Sequence, residues 1–390
     1  MQVPEKTSPP VVENMQTTDE FWMREALEEA ALGEGGTRPN PPVGCLIVRD
    51  GQVIGRGHHQ FAGGPHAEVL ALASLNGADV LGATMYVTLE PCSTYGRTHP
   101  CTDAIIRSGI KRVVVALSDV NPKHAGRGLN LLWKAGIDVV TEVCWRDARR
   151  MLEPFFKLVT QKRPYVSLKM AQSLDGGIAD HAGYSKWITC PEARSHVRCL
   201  RQKADLVLVG SGTVVADDSS LLRAPPVAGY QGLPGMRGVL DSSGRVALTS
   251  KLFTDGHADQ TLYFTTEACS QKRRLAVEQT GAKVVVLPTE YPVSAGKPVI
   301  SLEALMDKLG ELGMMNVLCE GGAQLASSFI NAGLVDELLL FIAPVVLGQA
   351  SKRVFGQFPF DLPTAPRFSI DTVDRFGTDL LVRALPQKEG

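Results

Sequence analysis

Two α/β domains are what the sequence predicts. Three observations predict them: a length of 390 residues, apolar segments that switch between helical and strand periodicity along the chain, and a basic, proline-containing break at Gln161-Lys162-Arg163-Pro164. One core typically serves roughly 100–200 residues, so a chain of this length needs two or three. Before the break, residues 19–32 carry Phe21, Met23, Ala26, Leu27, Ala30 and Ala31 at helical spacing, with Asp19 positioned to cap the helix and Gly33, Gly35 and Gly36 to end it. Residues 43–48 and 52–57 then read as two strands joined through Asp50-Gly51, the strongest short hairpin signal. Helices over 67–75, 102–107 and 129–135 alternate with strands over 84–89, 112–117 and 138–140. Such alternation predicts a layered domain whose later strands are parallel.

A fresh strand at 165–170 opens the second half. Strands follow over 206–210, 238–241, 261–264, 283–287, 317–319, 338–343 and 380–384, with helices over 272–278, 302–310 and 325–331. Residues 224–237, rich in Pro and Gly, read as a loop, and no internal repeat relates the halves. Residues 1–18 are polar, hold Pro4, Pro9 and Pro10, and are expected to form a disordered leader, with Met15 a second candidate start.

Composition excludes some classes of partner. The chain is 44% hydrophobic, with 40 basic and 41 acidic side chains, a formal net charge of -1 and 6% aromatic residues. Binding to a phosphate backbone or an anionic membrane calls for a basic excess and, for a single strand, stacking aromatics. The short clusters Arg146-Asp147-Ala148-Arg149-Arg150 and Lys272-Arg273-Arg274 read as solvated helix faces. The longest apolar run, 338–347, has ten residues and includes Pro344, against about 20 needed to cross a bilayer. Without a secretion signal, the cysteines at 45, 92, 101, 144, 190, 199, 269 and 319 are expected to be thiols and ligands in a reducing cytoplasm.

The sharpest constellation is His66-Ala67-Glu68, then Pro91-Cys92, then Cys101. One imidazole and two thiolates suit zinc, and three protein ligands leave the fourth tetrahedral position to water, whose pKa the metal lowers to about 7. Deamination of an aminopyrimidine needs that nucleophile and a carboxylate to carry a proton to the leaving ammonia. Glu68, two residues from His66 at the start of a predicted helix, reaches the same site without being a ligand. Eight residues separate Cys92 from Cys101, where nucleobase deaminases have two. Spacing alone therefore leaves open a closed structural zinc that also recruits His99, or a chance pattern beside two buried thiols.

In the second half Gly210-Ser211-Gly212-Thr213 lacks the third glycine and the later acidic residue of a dinucleotide fingerprint. Glu320-Gly321-Gly322-Ala323, between a predicted strand and helix, permits close backbone approach to a phosphate at a helix N-terminus, though such turns are more often structural. Taken alone, Lys169 reads as a snorkelling strand residue and Trp187 as core.

Local sequence goes further. Pro39-Asn40-Pro41-Pro42-Val43-Gly44, His66-Ala67-Glu68-Val69, Thr88-Leu89-Glu90-Pro91-Cys92-Ser93, Gly96-Arg97-Thr98 and Pro100-Cys101 together resemble the deaminase half of the bifunctional riboflavin-biosynthesis deaminase-reductases. In that family the long loop between the cysteines is normal. The resemblance continues through Lys169, Ser173-Leu174-Asp175-Gly176, Ser185-Lys186-Trp187-Ile188-Thr189, Gly212-Thr213-Val214, Ala216-Asp217-Asp218, Leu240-Asp241-Ser242 and Glu320-Gly321-Gly322, and spans nearly all of 19–385.

The resemblance implies a cytidine-deaminase-like α/β/α sandwich over 19–162 and a dihydrofolate-reductase-like α/β domain over 163–386. It implies His66, Cys92 and Cys101 as zinc ligands, Glu68 as proton shuttle, and Asn40, His59 and Arg97 as substrate contacts. In the second domain it implies an NADPH site lined by Ala171, Trp187, Thr213, Asp217, Ser242 and the stretch Gly322, Ala323, Gln324, Leu325, Ala326, Ser327 and Ser328. Lys169, Ser185, Arg201, Leu221 and Glu320 are implied to face the substrate, with Arg223 as a phosphate ligand. The implied partners are small phosphorylated pyrimidines, and the implied assembly is a dimer or tetramer of this chain, with neither nucleic acid nor membrane.

Two departures stand out. Thr94 occupies the place of a family His, and a hydroxyl hydrogen-bonds without carrying charge. The family's Asp-Asp-Pro-x-Leu-Thr-x-Arg is here Asp217-Asp218-Ser219-Ser220-Leu221-Leu222-Arg223-Ala224, with the arginine one residue early; in a strand, one residue reverses a side chain's face. That shift admits a rival in which the second half is a folded pyrimidine-binding or dimerisation module without activity. A zinc deaminase acting on nucleic acid is the other rival, and the charge balance opposes it.

Overall fold

The computed structural model describes residues 12–95, 99–121, 125–223, 234–291, 298–348, 352–355 and 360–387, with 12–17 as backbone only. The chain divides into two compact units, Met1–Thr160 and Gln161–Gly390.

Unit 1 runs α1 (Val12–Ala31), β1 (Gly44–Arg49), β2 (Gln52–His58), α2 (Ala67–Ala73), β3 (Thr84–Val87), α3 (Cys101–Ser108), β4 (Arg112–Val115), α4 (Arg127–Lys134), β5 (Asp138–Val140) and α5 (Trp145–Gln161). Its sheet has the order β2-β1-β3-β4-β5. β1 is antiparallel to β2 and β3, whereas β3, β4 and β5 are parallel, as the alternation predicts. Strand alternation sorts the side chains onto two faces. Cys45, Ile47, Met85, Val87, Val113 and Val115 pack with Ala67, Ala71, Ile105 and Leu132 of α2, α3 and α4. Leu46, Val48, Tyr86 and Val114 pack with Met23, Ala26 and Leu27 of α1 and Ala148 of α5. This is the α/β/α sandwich. The Asp-Gly hairpin forms as predicted, with Asp50 (φ 52°) and Gly51 (φ 72°) both left-handed between Arg49 and its partner Gln52. Gly57 lets α2 lie close on β2, since a Cβ there would stand 2.6 Å from the Ala71 nitrogen.

Two local expectations are corrected. α1 begins at Val12, so residues 12–18 of the expected leader are its opening turns, while 1–11 lie outside the described residues. Asp19 is therefore inside the helix and caps nothing. Its carboxylate instead accepts two bonds from Arg112, at 2.9 and 2.7 Å, and one from the Tyr86 hydroxyl at 2.9 Å.

Unit 2 runs β6 (Tyr165–Ser173), β7 (Gly177–Ala179), α6 (Pro191–Lys203), β8 (Leu206–Gly210), α7 (Ser211–Asp217), β9 (Met236–Leu240), α8 (Lys251–Thr254), β10 (Thr261–Thr265), α9 (Gln271–Glu278) and β11 (Lys283–Val286). It continues with β12 (Thr289–Glu290), β13 (Val299–Ile300), α10 (Leu302–Glu311), β14 (Asn316–Cys319), α11 (Ala323–Asn331), β15 (Glu337–Ala343), β16 (Lys352–Arg353), β17 (Phe368–Phe376) and β18 (Asp379–Pro386). The main sheet has the order β11-β10-β9-β8-β14-β6-β15-β18-β17. It is parallel from β11 to β15 and antiparallel at β18 and β17. α10 and α11 bury Leu305, Leu309, Ala326 and Phe329 on one face with Val166, Leu168, Leu208 and Val317. On the other face, Val207, Val209, Val239 and Tyr263 meet Val214 of α7, Leu252 of α8 and Val277 of α9. β9 starts at Met236, inside the loop expected over 224–237, of which 224–233 lie outside the described residues.

Candidate active sites

In unit 1, β3 ends just before Pro91-Cys92, α2 begins after His66, and α3 begins with Cys101. These three elements bring one ligand atom each from His66, Cys92 and Cys101 within 4.8 Å of one another. The His66 Nδ1 lies 3.2 Å from the Cys101 Sγ and 3.4 Å from the Cys92 Sγ, which also accepts from the Cys101 backbone N–H at 3.3 Å. Hydrogen bonding from Cys101 and His66 holds the Cys92 thiol down at about 4, while the Cys101 thiol, bonded to that sulfur and buried, is pushed up. A cation replacing the shared protons satisfies all three donors. His99 is exposed, its ring against that of Tyr95 at 5.7 Å, and is outside the cluster. The donor set is therefore of the three-ligand type that leaves a fourth position open.

Glu68, in the first turn of α2, is buried, and its Oε2 has no hydrogen-bond partner. Burial, helped by the Cys92 sulfur, pushes its carboxyl up to about 7. An orphaned carboxylate oxygen beside three soft donors fits a zinc site with a water to bind. The His59 ring stands edge-on to that of His66 at 5.4 Å. His59 Nδ1 donates to the Pro65 carbonyl at 3.0 Å, which makes Nε2 the acceptor of the Asn40 amide at 3.0 Å. Asn40 and His59 are thus joined beside the cluster. Arg97 lies outside the described residues, and Thr94 is exposed.

Glu90 is a positioning residue that motif reading passed over. Its Oε2 accepts from the backbone N–H groups of Asp119 (3.1 Å) and Gly126 (2.9 Å), and its Oε1 from Gly128 (2.9 Å). The carboxylate thus binds the N-terminus of α4 two residues before Cys92. A Cβ on Gly128 would stand 2.1 Å from the Pro91 carbonyl. The buried acid inside the Leu-Glu-Pro-Cys run was the available signal.

In unit 2 a cleft of about 1730 Å³ opens at the carboxyl ends of the parallel strands. That exceeds the roughly 300–1,000 Å³ of a site for one drug-sized molecule and suits a dinucleotide with a second ligand. Ala171, Trp187, Thr213, Asp217, Ser242, Gly322, Ala323, Gln324, Leu325 and Ser328 line it, as do Lys169, Ser185, Arg201, Leu221 and Glu320. Along the sheet order β9-β8-β14-β6, Ser242 follows β9, Thr213 follows β8, Gly322 follows β14, and Lys169 lies on β6. The Gly322 N–H donates to the Thr213 Oγ1 at 2.6 Å, and the Ser185 hydroxyl to Asp217 at 3.1 Å. Trp187 is 70% exposed, with the Arg194 guanidinium 4.6 Å from its ring centroid, so it is not core.

At the β6 pole Arg201 donates to both oxygens of Glu320, at 2.6 and 3.0 Å. Burial opposes ionisation of Glu320, yet Arg201 and Lys169 outweigh it and hold the carboxyl below its usual range. Burial lowers the Lys169 pKa; Glu320 opposes that shift and Arg201 adds to it. Lys169 Nζ also lies 5.8 Å from the Phe341 ring centroid.

Three implied residues are not brought to the cleft. Ala326 and Ser327 are buried on the inner side of α11, since a helix turns only some members of a continuous stretch toward one wall. Arg223 points instead to the Ala204 carbonyl at the end of α6, consistent with its one-residue displacement. Sequence reading also missed α6 and its cleft-lining Arg194 and Arg198.

All eight cysteines are free thiols, and no helix among the described residues is long and apolar enough to cross a membrane. Residues 16–117 match the cytidine and deoxycytidylate deaminase zinc-binding region, and residues 164–382 match the RibD C-terminal domain. The riboflavin biosynthesis protein RibD of Aquifex aeolicus is 42% identical over 332 residues, 85% of this chain and 88% of that protein. RibD of Escherichia coli is 38% identical over 372 residues, covering 93% and 98%. The structure of Acinetobacter baumannii RibD superposes with a TM-score of 0.82 at 36% identity, over 96% of this chain and all of that one. A Thermotoga maritima diaminohydroxyphosphoribosylaminopyrimidine deaminase/5-amino-6-(5-phosphoribosylamino)uracil reductase gives 0.80 at 34% identity, with coverage of 96% and 100%. This chain belongs to the RibD family, bifunctional enzymes of riboflavin biosynthesis that join a zinc deaminase to an NADPH-dependent reductase.

Proposed function

We propose that residues 19–162 hydrolyse the 2-amino group of 2,5-diamino-6-(ribosylamino)-pyrimidin-4-one 5′-phosphate. Residues 163–386 then reduce the ribosyl chain of the product, 5-amino-6-(5-phosphoribosylamino)uracil, to ribityl. The observation that carries the first half is the His66–Cys92–Cys101 cluster with the unpartnered Glu68 oxygen beside it. The Thermotoga maritima relative, a diaminohydroxyphosphoribosylaminopyrimidine deaminase and 5-amino-6-(5-phosphoribosylamino)uracil reductase, supports both substrates.

Bound zinc acidifies a water, so that hydroxide is available at neutral pH. Water adds at the amine-bearing carbon, the carbon–nitrogen bond breaks, and Glu68 carries the proton that leaves with ammonia. Its raised pKa suits a group that must both take and give that proton. Asn40, His59 and Arg97 orient the pyrimidine; the fixed His59 tautomer holds the Asn40 amide in place.

In the second site Thr213, Asp217, Ser242 and Gly322 would hold NADPH, which would supply the hydride that reduces the carbon–nitrogen double bond of the opened ribosylamine. Arg201 keeps Glu320 ionised, which leaves Lys169 as the group able to donate the accompanying proton. Ser185 and Leu221 shape the substrate wall. A cytoplasmic homo-oligomer, dimer or tetramer, completes the reading. The free cysteines support the compartment, and the exposed Ile370 (67%) and Val373 (55%) of edge strand β17 support self-association.

The test is stoichiometry. Purified protein given the diaminopyrimidine and NADPH is expected to release one ammonia for each NADPH oxidised. Ammonia release without NADPH oxidation, when the authentic deaminated intermediate is also left unreduced, contradicts the second half.

A further inference from the structure

We propose that Arg198 binds the phosphate of the reductase substrate, in place of the arginine that the family pattern puts after Leu221. The inference rests on the reductase reading above. α6 presents Arg194, Arg198 and Arg201 at positions i, i+4 and i+7, which share a helix face, and all three line the cleft. Two of the three are already engaged. Arg194 lies over Trp187 and donates to the Thr189 carbonyl, while Arg201 is held by both oxygens of Glu320. Arg223 is spent on the Ala204 carbonyl and is absent from the lining.

Most other cations of the cleft also hold protein oxygens. Lys186 donates to the Asp217 carbonyl at 2.8 Å, Arg245 to the Ser211 hydroxyl at 2.7 Å and Arg353 to the Asp175 carbonyl at 2.8 Å; Lys251 lies 4.0 Å from Asp218. Among the described residues, Arg198 is an exposed lining cation with neither a hydrogen bond nor an ion pair. A phosphate dianion needs such a group, and a planar guanidinium matches it with two parallel bonds.

Position separates Arg198 from Lys352, the other exposed lining cation without such a bond among the described residues. Arg198 is three residues from Arg201, which marks the reacting pole with Lys169 and Glu320. The phosphate is carried on the fifth carbon of a chain whose first carbon is reduced, so it sits away from the reacting pole, and Arg198 stands within one helical turn (about 5.4 Å) of Arg201 along α6. Lys352 lies on β16, opposite Ala179 of β7, and not on the helix that carries Arg201.

The experiment compares wild type, Arg198→Ala, Arg198→Lys and Lys352→Ala. Each is given the deaminated phosphorylated intermediate or its dephosphorylated nucleoside, and binding of ribose 5-phosphate is followed by titration calorimetry. For Arg198→Ala we expect KM for the phosphorylated substrate to rise about tenfold or more. Its kcat, its KM for NADPH and its KM for the nucleoside are expected to stay unchanged, its ribose 5-phosphate binding to be lost, and Arg198→Lys to recover part of the affinity. Equal effects on phosphorylated and dephosphorylated substrates, or a loss carried by Lys352→Ala instead, overturn the proposal. Arg198-dependent ribose 5-phosphate binding in a wild type that does not oxidise NADPH supports the site and contradicts only the reductase reading.

Discussion

The Arg201 guanidinium and the Glu320 carboxylate form a two-bond pair, 2.6 and 3.0 Å, on the wall of the cleft beside Lys169. The pair fixes which group is charged. With Glu320 locked as a carboxylate, the proton for reduction falls to a lysine whose ammonium is destabilised by burial.

A pH profile follows. Lys169 donates only below its own pKa, which burial places under the usual 10.5. The reductase kcat is therefore expected to fall as pH rises through that value. Glu320 raises the Lys169 pKa, so in Glu320→Gln the alkaline limb is expected to move to lower pH. An unmoved limb, measured with the deaminated intermediate, contradicts the assignment.

Stability and activity should part at Lys169. Its folded pKa lies below the unfolded one, so the folded state binds the proton less tightly, and stability rises with pH across the window between the two values. Lys169→Met is therefore expected to abolish reduction without lowering the thermal midpoint at neutral pH. A marked fall in that midpoint, by calorimetry, contradicts it.

Zinc removal should act on one activity. Chelation, or Cys101→Ser, is expected to abolish ammonia release and lower the stability of the deaminase unit, by about 4 kcal/mol relative to metal at a thousandfold excess over Kd. NADPH oxidation with supplied intermediate should persist. Full ammonia release by metal-free protein, checked by elemental analysis, is the contrary result.

Glu90 is expected to hold the Cys92 loop. Glu90→Ala strips three backbone N–H groups of their acceptor, at roughly 1–3 kcal/mol for each that stays buried. Zinc should pass faster to a chromogenic chelator, and Glu90→Gln should retain part of the hold. Zinc release at the wild-type rate in both variants rules the role out.

Much of this was legible in the sequence where one side chain has one physical job. Asp50-Gly51 demanded a tight turn, and His66, Glu68, Cys92 and Cys101 carry chemistry that few other residue sets supply. Long-range polar contacts were not legible. Asp19 looks like a helix cap until Arg112, 93 positions away, claims both oxygens. α6 escaped because only Ala193 of its residues is buried, leaving no apolar stripe to read; its message is a row of arginines. Of α5 only the basic cluster at 146–150 was legible, as a helix face, and Pro154 hid its continuation. On α11 sequence similarity marked a continuous stretch, and only the helix itself could separate the cleft-lining Ser328 from the buried Ser327.

The most direct test of two separate catalytic sites is a complementation assay. Glu68→Ala is expected to release no ammonia yet to oxidise NADPH when given the deaminated intermediate, and Lys169→Ala to do the reverse. Mixing the two variants should restore ribityl product from the diaminopyrimidine. Ammonia release by Glu68→Ala at the wild-type rate would contradict the account.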